Sequence, residues 1–200
     1  MRVAALRIGG EPRQWRELGF DVGNDGFAVV GGVRLEVQPS AERGAIGSWA
    51  LDGDDVPGSV DGLVTDAAIR GEAGAVHPNG VIGIDHVVVF TPSLERTTAA
   101  FAEIGVDCRR VREANGGARQ GFFLVGDVLV EVIDGVGLEP DAPARFWGIT
   151  AVVSDIEAAA IVLGERLGRI KDAVQPGRRI ATVRSEASGG LPLALITPRV

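Results

Sequence analysis

The chain has 200 residues, 46% of them hydrophobic, with one cysteine, a net charge of −7 and a pI near 4.9. This composition buries a sizeable core, but it lacks the basic stripe with which a nucleic-acid site neutralises phosphates, and it gives no attraction to an anionic membrane surface. No run of eighteen apolar residues is present to span a bilayer, and the apolar part of MRVAALRIGG is too short for a signal peptide.

Cys108 has no partner for an intramolecular disulfide, so the cytoplasm is the expected location. It stands beside Arg109 and Arg110, which lower a thiol pKa, but it reads as a small residue in a strand.

In chain order, Val3 to Ile8 reads as a strand, and Pro12 opens a short helix that carries Trp15 and Leu18 and stops at Gly19. Phe27 to Val30 then faces Val33 to Val37 across Gly31-Gly32. That is a strong hairpin signal, because primed two-residue turns need positive φ. Gly47-Ser48-Trp49-Ala50-Leu51 looks like the start of a further strand. The stretch after it, with the acidic run Asp52 to Asp55, reads as a solvated turn with no convincing helix or hairpin. Residues 71–82, including Pro78-Asn79-Gly80, read as a linker, with His77 exposed in it.

The same order of elements then returns. Ile84 to Phe90 is a β-rich run followed by Thr91 as a cap, Pro92 in the first turn, and a helix face at Leu94, Thr98 and Phe101 that ends at Ile104-Gly105. Phe122 to Val125 faces Val128 to Val132 across Gly126-Asp127. Once more, Ile149 to Val153 is a strand, and Ser154 to Glu157 has the form of a capping box. Ile156, Ala160, Leu163 and Leu167 line a helix that ends at Gly168, and two strands, Ile180 to Arg184 and Leu191 to Ile196, follow. The turn Pro176-Gly177-Arg178-Arg179 leads into the first of these, with anion binding there as the lesser reading.

The fourth residue after the turn is Glu36 in the first copy, Glu131 in the second and Ala194 in the third. Strand, helix and a three-strand meander make a βαβββ module that cannot bury both faces of its sheet. Two modules side by side curl into a half-open cup, and His86 and Glu131 fall on inward positions. The expected fold is therefore α+β, with repeated βαβββ modules forming curled, half-open mixed sheets. The expected organisation is an N-terminal module-like region at 1–70, the linker at 71–82, and a paired-module unit at 83–200 made of 83–135 and 147–197.

From His86 to Glu131 this pattern resembles the vicinal oxygen chelate superfamily, the glyoxalase, bleomycin-resistance and dioxygenase group of proteins. The likeness covers residues 83–198 and, less fully, 1–40. It implies a small-molecule ligand in the cup, and a homodimer is compatible with a family that swaps modules between chains. It also implies a divalent ion (zinc, nickel, manganese or iron) held by a strand-one residue and a strand-four glutamate from each module.

Carried over position by position, His86 and Glu131 match. Thr150 and Ala194 do not, and the N-terminal copy offers Glu36 with only Ala4 or Ala5 at its strand-one place. Two side chains hold a divalent ion weakly, so a site would need Glu36 to join His86 and Glu131. Arg119, Phe122, Trp147 and Thr150 are the remaining candidates for lining the cup, Arg119 as a bidentate partner for a carboxylate.

Three functions compete. The first is metal-free binding of a small metabolite. The second is a metal-dependent lyase, isomerase or dioxygenase using His86 and Glu131 as catalytic groups. The third is a structural, dimerising role without a ligand. The incomplete donor set favours the first and third. No phosphate loop, nucleophile elbow or HExxH motif points elsewhere.

Overall fold

The computed structural model describes residues 1–39, 42–68, 74, 76–113, 115–135 and 137–199. Part of the expected linker, 71–73 and 75, lies outside the described residues.

The first half of the chain forms β1 (Arg2–Gly9), α1 (Pro12–Glu17), β2 (Phe27–Val30), β3 (Val33–Gln38), β4 (Ile46–Asp52), β5 (Ser59–Val60) and β6 (Leu63–Ala67). Their sheet order is β2-β3-β1-β4-β6-β5, with β1 parallel to β3 and antiparallel to β4. β4 is parallel to β6. The region after Trp49, expected to be a turn without a hairpin, therefore holds one. Asp61 (φ 48°) and Gly62 (φ 90°) close a two-residue turn between β5 and β6. Asp-Gly supplies the two positive φ angles such a turn needs. The helix of this fourth module is absent, and residues 53–58 cross in its place as turn and loop.

The second half forms β7 (Val81–Phe90), α2 (Leu94–Glu103), β8 (Cys108–Glu113), β9 (Arg119–Val125), β10 (Val128–Ile133), β11 (Arg145–Val153), α3 (Ile156–Leu163), β12 (Lys171–Asp172), β13 (Arg179–Thr182) and β14 (Leu193–Ile196). The sheet order β12-β13-β14-β11-β7-β10-β9-β8 shows two βαβββ modules joined through the antiparallel β7–β11 seam. The two modules of this sheet are adjacent in the sequence.

Local chemistry sets the helix ends, at places slightly different from those expected. Ser93, not Thr91, caps α2 by accepting from the Arg96 amide, while Thr91 Oγ1 accepts from the Ser93 amide. Asp155, not Ser154, caps α3 by accepting from the Glu157 and Ala158 amides. An Asp side chain reaches those amides as well as a Ser does, and its charge suits a helix N-terminus. α3 stops at Gly164 (φ 56°) rather than Gly168, because the positive φ breaks the helix there.

One hydrophobic core runs through both sheets. Trp49 on β4 packs edge-on against Phe101 of α2 (6.0 Å) and Phe146 of β11 (5.5 Å). A Cβ on Gly31, in the β2–β3 turn, would stand 2.6 Å from the Cα of Gly83 on β7, so only glycine allows that approach. His77 is buried rather than exposed. Its Nδ1 accepts from the Asp21 amide at 3.0 Å, and its Nε2 lies 3.0 Å from the Val29 carbonyl. Asn79 beside it bonds the Leu18 carbonyl and the Val81 amide. These two side chains fasten the approach to β7 onto α1 and β2. No helix among the described residues is long and apolar enough to cross a membrane.

Candidate functional site

On β10, Val128, Val130 and Val132 are buried against the helix-bearing face, where Phe123 meets Phe101 at 4.6 Å. Leu129 and Glu131 alternate to the opposite, concave face, together with Phe122 of β9 and Arg110 and Arg112 of β8. The β12–β13 turn and the C-terminal stretch reach the same place. Arg110, Arg112, Phe122, Leu129, Gln175, Pro176, Arg178 and Arg199 line one cavity of about 420 Å3. The two edges of the eight-stranded sheet therefore curl toward each other around a cup, whose size lies in the range of small-molecule sites, ~300–1,000 Å3.

A chain of charged groups runs beside this cup. His86 pairs laterally with Leu129 on β10 and, across the seam, with Thr150 on β11. Its Nε2 stands 3.8 Å from Oε2 of Glu131, whose Oε1 is 4.0 Å from Nη2 of Arg112. On its other side, Nδ1 of His86 is 2.8 Å from Oδ2 of Asp85.

Consecutive residues of a regular strand point to opposite faces. Here the β7–β11 register slips by one residue at Asp85, since Thr150 pairs with His86 and Ala151 with Ile84. That bulge lets neighbouring side chains meet. Asp85 also accepts from Nη2 of Arg178 at 2.6 Å, and both side chains are almost wholly buried. Burial pushes the Asp85 carboxyl up, but hydrogen bonds from His86 and Arg178 outweigh it and hold the group at about 2.

The other expected site residues lie as follows. Phe122 lines the cup under the Arg112 guanidinium, which is 5.2 Å from its ring centroid. Thr150 is buried at the seam beside His86. Arg119 is spent elsewhere, on Glu95 in the first turn of α2 (3.1 Å from Nη2) and on Asp134. Trp147 stacks on Phe90 at 5.3 Å and lines a separate cavity with Thr182 and Pro192.

Glu36 belongs to the other sheet. It accepts from Nε of Arg7 at 2.8 Å, and Asp66, the fourth residue after the Asp61-Gly62 turn, takes another nitrogen of the same guanidinium. Arg7 thus supplies the positive charge that Glu36 requires, and Glu36 does not join His86 and Glu131. Among the described residues no three His, Cys, Asp or Glu side chains converge as a metal cluster. With Thr150 and Ala194 at the second module's two places, the residues present do not fit a resident divalent ion.

Asp85, Arg110, Arg112 and Arg199 were not among the expected site residues, and Arg178 was expected chiefly as part of a turn. A signal for Asp85 was present, because a carboxylate inside an apolar strand requires a partner. The spacing of Arg110 and Arg112, two residues apart on a strand, likewise put them on one face.

No family model and no curated sequence matches the chain. A solved structure of a mutant 4-hydroxymandelate synthase from Streptomyces coelicolor is similar over 99% of this chain and 92% of its own, with a TM-score of 0.65 and 16% identity. The chain has the vicinal oxygen chelate fold. Methylmalonyl-CoA epimerase from Mycobacterium tuberculosis covers 60% of the chain and 91% of its own, with a TM-score of 0.48 and 18% identity. A Streptomyces coelicolor methylmalonyl-CoA epimerase in complex with 2-nitronate-propionyl-CoA covers 60% of the chain and 96% of its own, at TM-score 0.48 and 16% identity. Of its repeated modules, the one from β7 to β10 is the one with a histidine, His86, on its first strand and a glutamate, Glu131, on its last.

Proposed function

We propose that the protein binds a small metabolite in the cup of its eight-stranded sheet without a resident metal ion. The observation that carries this reading is the convergence of both sheet edges on one cavity of about 420 Å3, with Phe122 and Leu129 as apolar walls. The polar floor next to it is the His86–Glu131 pair, with His86 held in one orientation by Asp85. An apolar enclosure with a few fixed polar groups is the usual form of a ligand site.

The test is a thermal-shift screen of small metabolites on chelator-treated protein, since a ligand that binds only the folded state raises the midpoint. Hits should vanish in Leu129→Trp, which fills the cup. Binding that persists in that variant, or that returns only with added divalent metal, sinks the proposal.

The 3.8 Å approach of His86 Nε2 to Glu131 also favours a second reading, an isomerase or lyase in which this pair moves a proton on the bound ligand. That reading expects His86→Gln and Glu131→Gln to abolish turnover while ligand affinity stays within a few-fold. Loss of affinity in step with turnover rejects it.

A further inference from the structure

We infer that the ligand of this cup carries an anionic group, a carboxylate or a phosphate, gripped by Arg110, Arg112 and Arg199 while an apolar body lies against Phe122. This rests on the proposal that the cup is the ligand site.

In a chain of net charge −7, four guanidinium groups nevertheless line one cavity. The carboxylates that touch them there are Asp85 and Glu131. Four positive charges against two negative ones leave the cup about two positive charges in excess. Field lines focused in a concave, partly apolar site attract a counter-ion more strongly than the same charges on a flat surface would.

The four arginines are not equivalent. Arg178 is committed: it donates to Asp85, to Gln175 Oε1 at 2.6 Å and to the Thr197 carbonyl at 2.8 Å. Its role is to position the β12–β13 turn as a wall of the cup. Arg112 donates Nε to Gln120, which orients the guanidinium over Phe122, and its Nη2 has only the 4.0 Å approach to Glu131. Arg199 has only a 4.0 Å approach to Asp85 and is 65% exposed. The Arg110 side chain makes no hydrogen bond or ion pair among the described residues. Three guanidinium groups with unused donors therefore face one space from two sides of the curled sheet. Planar forks of this kind match the paired oxygens of carboxylates and phosphates.

The aromatic ring beneath Arg112 sets the other requirement. A ligand whose anion reaches the arginines lays its remaining atoms over Phe122 and Leu129, so a small anion with an apolar or aromatic body fits better than a bare ion.

The experiment titrates the full chain with phenylacetate, phenyl phosphate and the neutral phenylacetamide by calorimetry at low ionic strength. The expected result is anion binding at least tenfold tighter than amide binding, weakening with added salt. Arg110→Gln and Arg112→Gln should each weaken anion binding about tenfold. Arg13→Gln on α1, where Arg13 pairs only with Glu17, makes the same change in net charge and should leave binding unchanged. The tighter of the two anions names the group.

Amide bound as tightly as the anions, or an equal response of Arg13→Gln and Arg110→Gln, overturns the inference and leaves the cup as a neutral-ligand site. Failure of all three probes to bind overturns the inference together with the proposal on which it rests.

Discussion

Asp85 concentrates the energetic argument at the scale of single residues. It is a carboxylate buried in a strand, and it is tolerated because His86 and Arg178 both donate to it. Removing one member of a buried ion pair strands the other charge. Arg178→Ala is therefore expected to lower unfolding stability by about 3–5 kcal/mol in chemical denaturation, against about 0–1 kcal/mol for Arg13→Ala on the surface of α1.

The same group sets a pH dependence. Its folded-state pKa is lowered from 3.8 to about 2. A depressed carboxyl contributes stability that is fully present above the unfolded value and lost as pH falls through the folded one. Between pH 5 and pH 2 the native chain should lose about 2 kcal/mol more than Asp85→Asn does. Parallel losses in the two proteins would show that the pair is not the source. That Asp85 needs a partner was legible, but that His86 and Arg178 are its partners was not, because their meeting depends on the bulge at Asp85, and a bulge is a property of two strands in register rather than of one sequence segment.

At the scale of elements, the turns were the clearest features in the sequence. Gly31-Gly32 and Gly126-Asp127 close hairpins at the registers that their positions imply. Asp61-Gly62 carries the same signal between Val60 and Leu63, but β5 is only two residues long and supplies no alternating run to mark a hairpin. That turn also has a packing role. A Cβ on Gly62 would stand 2.3 Å from Cβ of Pro143, and the residue holds φ at 90°. Gly62→Ala is expected to cost about 1–3 kcal/mol in thermal or chemical unfolding, from backbone strain and the clash together. A loss below about 0.5 kcal/mol would mean that the loop carrying Pro143 simply moves aside. Capping was legible in kind but not in position: Ser and Thr near a helix start compete with Asp, and only the strand's exit angle decides which side chain reaches the free amides.

The whole molecule follows from repetition. Four strand-one elements pair two by two, β1 with β4 and β7 with β11, so each sheet carries two modules of like topology. The composition of the sheets was largely readable, whereas the fate of their inward polar groups was not. In the first sheet Arg7 ties Glu36 and Asp66 together, with Ser48 donating to Asp66 at 2.9 Å. In the second, the corresponding face opens to the cup. A sequence records that Glu36 and Glu131 sit alike after their turns, but not that an arginine on the neighbouring strand has claimed one of them.

Because the core is continuous through Trp49, Phe101 and Phe146, both sheets should unfold together. Near-ultraviolet and far-ultraviolet signals are expected to give coincident denaturant transitions, whereas two separated transitions would show independent halves.

The antiparallel seam between β7 and β11 has one further consequence. The walls of the cup come from opposite sides of that seam, Arg110 and Arg112 from one module and Gln175 and Arg178 from the other. A molecule held by both walls acts as a staple across the joint. Its arrival should slow amide hydrogen exchange at paired positions such as Val87 and Ile149, far more than on β2 or β5 at the remote edges of the first sheet.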